Sequence, residues 1–311
     1  MLIATNTRVY FLPGDGSSHA ASLRTDSEPV ARVAEGDRCE VIAFSDGRLR
    51  VARGGRVREI ASGITDRIES LLILHPGPPE LLIGTEPPHV YRLEGDGPAQ
   101  RIETLDGLAG RGRWYTPWGG PPAVRSLAAT RDGWVYANIH VGAILRSGDR
   151  GGRWETVEFG LDEDVHQVAT CPADDDRVYA NTAGGVYVSA DRGLSWQDRG
   201  KGLRHRYGRA IAVHPANPDC LLASVSDGPH GQDVHGGLFH SANGGLAWRR
   251  VTEGFPATTV DNINTHHVAF SPAGLAWAVV SGTLYISRDR GLRWDGFWAA
   301  PAAIEMIACS R

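Results

Sequence analysis

A single seven-bladed β-propeller, all-β throughout, is the fold this sequence predicts for residues 1–311. Three observations carry that reading. The octapeptide pattern S-x-[DN]-x-G-x-x-W occurs four times, at Ser147–Trp154, Ser189–Trp196, Ser241–Trp248 and Ser287–Trp294, at intervals of about 40 to 50 residues. Around each copy the apolar positions sort into four short strands, and upstream of the first copy the same four-strand unit continues without the octapeptide. The two ends are complementary: residues 304–309 read as a first strand with nothing after it, and residues 2–12 as a second and third strand with no first before them. The C-terminal strand (304–309) is therefore expected to complete the N-terminal blade, leaving no open sheet edge.

Taken in order, Leu2–Thr5 and Arg8–Leu12 supply strands B and C of blade 1. Cys39–Phe44 and Leu49–Arg53 open a blade 2 that reads as shorter and poorly formed at its outer edge; six blades is the alternative if this stretch is an elaborated loop. Ile68–Leu74 and Leu81–Thr85 open blade 3. Blade 4 is the clearest, with Val124–Thr130, Trp134–Ile139, Ala143–Ser147 and Trp154–Glu158 as strands A to D. Blade 5 repeats it with Val165–Cys171, Val178–Asn181, Gly185–Ser189 and Trp196–Asp198; blade 6 begins at Arg209 and blade 7 at His267. The octapeptide falls at each C–D turn. Its Asp or Asn can accept hydrogen bonds from backbone N–H groups of its own turn, its Gly can take positive φ, and its Trp can fill the gap between adjacent sheets.

These residues resemble the Asp-box (BNR) repeat of sialidases, two-propeller xyloglucanases, sortilin-type receptors and a photosystem II assembly factor of plastids and cyanobacteria. The match covers roughly the last 170 residues and implies architecture far more than function, because in those families the box sits away from the active site. The resemblance to sialidases does not extend to their chemistry. Tyr10-Phe11-Leu12-Pro13 lacks the arginine of the family's early F/Y-R-x-P motif, and for the arginine triad and the nucleophile the chain offers only Arg125 and Arg209, with Arg113 as a third arginine, and Tyr207. A two-propeller cleft does not fit in one propeller either.

Bulk composition narrows the function. There are 32 Lys and Arg against 36 Asp and Glu, a net charge of −4, which argues against a nucleic-acid surface. No apolar run reaches the ~18 residues of a membrane span, and the N-terminal residues lack the pattern of a signal peptide, so a cytoplasmic location is expected. Cys39, Cys171, Cys220 and Cys309 have no C-x-x-C pairing and read as buried free thiols.

Aligning the innermost strands places an ionisable residue immediately before each apolar stretch: Glu305, Glu40, Glu69, Arg125, His166, Arg209 and His267 in blades 1 to 7. Such a ring would circle the channel mouth with an acidic arc in blades 1–3 and a basic arc in blades 4–7. Connections expected on the same face carry His89, His140, His205, Tyr207, His230, His235, Asp261, His266, Trp114 and Trp118. Opposed charges in a concavity concentrate perturbed pKa values and ligand sites, although a wet channel mouth also tolerates charge that only pairs with itself.

The expected function is thus binding of a small polar anionic or zwitterionic, carbohydrate-like ligand at that mouth, with hydrolase or lyase chemistry left open. Arg125 and Arg209 would grip negative charge, with Tyr207, His140, His235, Trp114, Trp118 and Asp261 as further ligand contacts. His166, His267, Glu69 and Glu305 are the candidate acid–base groups. A divalent metal is a further expectation, His166 and His267 being the first donors, with His140, His235, Glu305 or Asp261 beside them. The alternative function is a non-catalytic scaffold for a protein partner, with the Trp114–Trp118 loop as a stacking platform.

Overall fold

The computed structural model describes residues 1–75, 79–157, 160–230 and 233–310. Seven four-stranded antiparallel sheets form the ring, each running A to D from the channel outwards. The closing sheet joins both ends of the chain: Met306–Ala308 is strand A of blade 1, hydrogen-bonded to Leu2–Ala4, with Val9–Phe11 and Ser22–Thr25 outside them. The pairing runs Leu2 to Ala308, Ile3 to Ile307 and Ala4 to Met306.

Blades 3 to 7 follow the expected strands within a residue or two, except that strand B of blade 5, Asp174–Thr182, starts four residues before the expected Val178. Strands A of blades 4 and 5 are Val124–Ala129 and Val165–Cys171, strands C are Ala143–Ser147 and Gly185–Ser189, and strand D of blade 4 is Glu155–Val157. Glu158 lies outside the described residues.

Blade 2 departs from the sequence reading in two ways. It is complete, with Val30–Gly36, Cys39–Phe44, Arg48–Arg53 and Arg56–Ala61 in order, so the ring has seven blades. Cys39–Phe44 is consequently strand B, one place further out than expected. The physical reason is burial: strand B is covered by strands on both sides and by both neighbouring sheets, so Val41–Phe44 is a solid buried run. The true strand A, Val30–Gly36, is only half-buried and carries Arg32 and Glu35. Glu40 therefore leaves the ring and is held by the Arg24 guanidinium at 2.7 and 3.1 Å.

The octapeptides build one repeated turn. In the first, Ser147 Oγ donates to Asp149 Oδ1 (2.8 Å) and accepts from the Gly151 N–H (2.8 Å), while Asp149 Oδ1 accepts from the Arg153 N–H (2.7 Å). The same contacts recur at Ser189/Asp191, Ser241/Asn243 and Ser287/Asp289. Two successive positive-φ residues make each turn, such as Arg150 and Gly151 at 62° and 90°. The octapeptide tryptophans then pack backwards across the blade interface: Trp154 in one core with Leu82 of blade 3, Trp196 with Tyr136 of blade 4, and Trp294 with Leu222 of blade 6.

Buried polar latches join the inner strands of blades 3 to 7. Ser70 Oγ donates to the Val124 carbonyl, Asn138 Nδ2 to Val165, Asn181 Nδ2 to Ala210 and Ser224, and Ser224 Oγ to Ile263. They lie beside β-bulges that interrupt strand A at Glu69, Arg125, His166 and Arg209. A bulge breaks the ladder locally and re-aims a side chain. Arg125, His166 and Arg209 are thus each placed by a bulge on their own strand and a latch from the preceding blade.

Candidate functional site

The ring does not present one continuous surface. The connection into blade 7 folds into the channel mouth and binds residues on its far side. Thr265 Oγ1 donates to the His166 carbonyl (3.3 Å), the His266 N–H to Gln167 Oε1 (3.2 Å), and His266 Nε2 lies 3.4 Å from the Arg125 carbonyl. This plug leaves the expected site residues in separate neighbourhoods.

The first is acidic and self-paired. Glu69 is buried and its carboxylate meets two guanidinium groups, Arg32 and Arg67, the latter at 2.7 Å. The second lies between blades 6, 7 and 1, where His267, Glu305, Asp261 and His230 line one depression. There the His267 ring sits with Nε2 3.1 Å from the Glu305 carbonyl, not its carboxylate, which is exposed. Burial lowers the His267 pKa to about 4, so the neutral ring donates this bond.

The third, across blades 4, 5 and 6, is a built constellation. His166, at the blade 5 bulge, is fully buried, and its Nδ1 lies 2.6 Å from the Gly208 carbonyl. A carbonyl can only accept, so Nδ1 carries the proton and the lone pair of Nε2 faces inward. Tyr207 OH lies 3.2 Å from that Nε2. Asp164, on the connection into blade 5, places Oδ1 3.3 Å from His166 Nε2 and 3.6 Å from His140 Nε2. His140 arrives from the B–C connection of blade 4 and lies against Trp118, with ring centroids 4.6 Å apart and the planes inclined by 51°.

Electrostatics in this neighbourhood run against ordinary values. Burial, with Arg125 and Arg209 next in weight, drops the His140 pKa to about 3 and depresses His166 further still, so both imidazoles are neutral near pH 7. Burial lifts the Asp164 carboxyl to about 6 against the opposing pull of Arg125. Asp164 Oδ1 is buried and has no hydrogen-bond donor among the described residues. Burial likewise raises the Tyr207 phenol, which stays protonated.

Arg125 and Arg209 complete the site. Among the described residues the Arg125 guanidinium has no carboxylate or hydrogen-bond partner, and burial lowers its pKa, with Arg209 adding to that effect. Arg209 donates to the Pro229 carbonyl (3.1 Å), lies over the Tyr207 ring (5.3 Å) and leaves its buried Nε unsatisfied.

Of the ligand contacts expected from sequence, His140, Tyr207, Trp118, Arg125 and Arg209 gather here with His166. Trp114 does not: it is buried in the core between blades 3 and 4, with Arg111 over its ring at 5.3 Å. His235 is exposed and engages Asp227 (2.9 Å), and Asp261 belongs to the depression at blades 6 to 1. Sequence reasoning missed Asp164. The available signal was its D-x-H spacing to His166, which in extended chain directs both side chains the same way.

Comparison with known proteins places the fold. A family model described as Sortilin, neurotensin receptor 3 matches residues 142–262. No curated protein matches the chain. An ancestral GH74 enzyme superposes with a TM-score of 0.65 at 16% identity, over 87% of this chain and 39% of that one. The GH74 enzyme of Niastella koreensis gives 0.66 at 14%, over 94% and 51%. The structure of YCF48 bound to D1 peptide gives 0.58 at 18%, over 86% and 81%. The chain thus spans about two fifths to one half of the two GH74 enzymes it resembles. What it shares with these neighbours is the β-propeller fold.

Proposed function

We propose that this propeller binds a small polar anion, a carboxylate or phosphate, between blades 4, 5 and 6 at the channel mouth. The observation that carries the reading is Arg125: a part-buried guanidinium that makes no ion pair among the described residues, beside a second one, Arg209, that makes none there either. Keeping two like charges together away from water is costly unless an anion joins them, and guanidinium forks match carboxylate and phosphate oxygens. Tyr207 and the neutral imidazoles add neutral donors and acceptors, and Trp118 adds an exposed face against which a sugar or other flat ligand can lie. Acid–base chemistry at Asp164 and His166 is an extension of this reading, as is a cytoplasmic setting for a chain whose four thiols are all free.

The test is calorimetry and thermal shift with inorganic phosphate, sulfate, sugar acids and dicarboxylates. An anion at 100 times its dissociation constant raises stability by about 2.7 kcal/mol. Arg125→Gln should abolish that shift while leaving the unliganded protein as stable as wild type or more so, since no partner is lost. Equal anion response in wild type and Arg125→Gln would overturn the proposal.

One observation favours a second reading, a scaffold for a protein partner. Tyr115 and Trp118 stand 51% and 72% exposed on one loop, and the YCF48 neighbour carries a bound peptide. If that loop is the docking surface, Trp118→Ala removes partner capture while the anion response survives.

A further inference from the structure

We propose that His140 Nε2, His166 Nε2 and Asp164 Oδ1 together bind one divalent transition-metal ion of the zinc, cobalt, manganese or iron class. The three donor atoms lie within 4.8 Å of one another. Bonds of about 2.0–2.2 Å separate neighbouring ligand atoms by about 3.0–3.5 Å, and two of the separations here are 3.3 and 3.6 Å. The third edge, from His140 to His166, is at most 4.8 Å.

Two further features point to an ion. The His166 tautomer is fixed by its 2.6 Å bond to the Gly208 carbonyl, the outer-shell arrangement that aims a metal-binding lone pair. Asp164 Oδ1 is a buried acceptor with no donor among the described residues, held against a second acceptor, the His166 lone pair. Two acceptors facing each other out of water need a cation or a proton between them. The competing contact to that lone pair, from Tyr207, is long for an O–H donor at 3.2 Å. Imidazole nitrogen with carboxylate oxygen suits zinc, iron, cobalt or manganese, and three protein ligands leave further coordination positions for water or an anion.

Arg125 and Arg209 repel a dication, so the ion should bind weakly alone and more tightly with an anion beside it. In this respect the inference rests on the anion reading, while ligation by the three side chains does not. An anion held by two arginines against a metal ion is the arrangement of metal-assisted hydrolysis, where the ion polarises the anion and supplies an activated water.

The experiment uses full-length protein and Co(II). Equilibrium dialysis with and without inorganic phosphate should show about one Co(II) per chain, with visible d–d absorption, bound more tightly when phosphate is present. Asp164→Asn and His140→Gln should each weaken Co(II) at least about tenfold, whereas His235→Gln, an exposed histidine control, should not. If Asp164→Asn fails to fold, His140→Gln decides. Arg125→Gln separates the two readings: it should lose the phosphate response and bind Co(II) without phosphate at least as tightly as wild type. Substoichiometric Co(II) in wild type, or Co(II) binding unchanged in His140→Gln, overturns the metal site. A phosphate response persisting in that protein would leave the anion reading standing.

Discussion

Gly208 tests how the fold holds the site. A methyl group added there would sit 1.7 Å from Asn181 Oδ1 and 2.4 Å from its Cγ. Asn181 is fully buried and its Nδ2 is committed to the Ala210 and Ser224 carbonyls at 2.7 and 2.9 Å. It cannot step aside without breaking both bonds, and strand A of blade 6 cannot step aside without pulling the Gly208 carbonyl off His166. Overpacking of this kind costs about 1–3 kcal/mol, and losing the two bonds adds about 1 kcal/mol each. Gly208→Ala should therefore cost roughly 3–5 kcal/mol in equilibrium urea unfolding. Asn181→Ala alone should cost about 2 kcal/mol. In the double variant the clash is gone, so its cost should approach that of Asn181→Ala, giving a favourable coupling of about 3–5 kcal/mol, the whole cost of the single Gly208→Ala change. A Gly208→Ala protein within about 0.5 kcal/mol of wild type, or an additive cycle, would refute the argument that this latch positions the bulge.

Three other outcomes follow from the same structure. Trp196→Ala should cost about 3–5 kcal/mol by emptying the blade 4–5 interface; its buried Nε1 has no hydrogen-bond partner among the described residues, and anion affinity measured by calorimetry should not change. His267 titrates near 4 when folded and near 6.5 when unfolded, so the unfolded chain takes up its proton first. The contribution is intact above pH 6.5 and is lost as pH falls towards 4, by up to roughly 3 kcal/mol; His267→Gln should flatten the stability–pH curve over that window, and an unchanged curve would contradict it. A chain ending at Ala303 would strip Leu2–Ala4 of its partner strand and should self-associate through that edge, which light scattering after size exclusion would register; a monodisperse monomer would argue against closure through this strand.

How much of this was legible in the sequence varied with how local the causes were. The octapeptide turns are local: Ser, Asp, Gly and Trp each act within eight residues, so blades 4 to 7 could be counted and bounded from the chain alone. Blade 2 lacks the octapeptide, and there the apolar run of its second strand passed for an innermost one, moving Glu40 onto a ring it does not join. The positions of Arg125, His166 and Arg209 were readable because each precedes an apolar inner strand. Their company was not. That Asp164 meets His140 and His166, that Trp114 turns into the core while Trp118 stays out, and that Thr265 and His266 enter the channel all depend on how connections from different blades fold against each other. No spacing within one blade encodes that.

The shared first blade also orders events during synthesis. Leu2–Ala4 is made before all of blades 2 to 7, and its inner partner, Met306–Ala308, only after them. Until then the nascent chain carries one unmatched strand edge, while six complete blades accumulate behind it, each able to pack on the one before. The closing strand acts as a checkpoint: a product cut short before it has most of its core and all four octapeptide turns, yet stays marked as unfinished by an exposed edge that a chaperone or a protease can recognise.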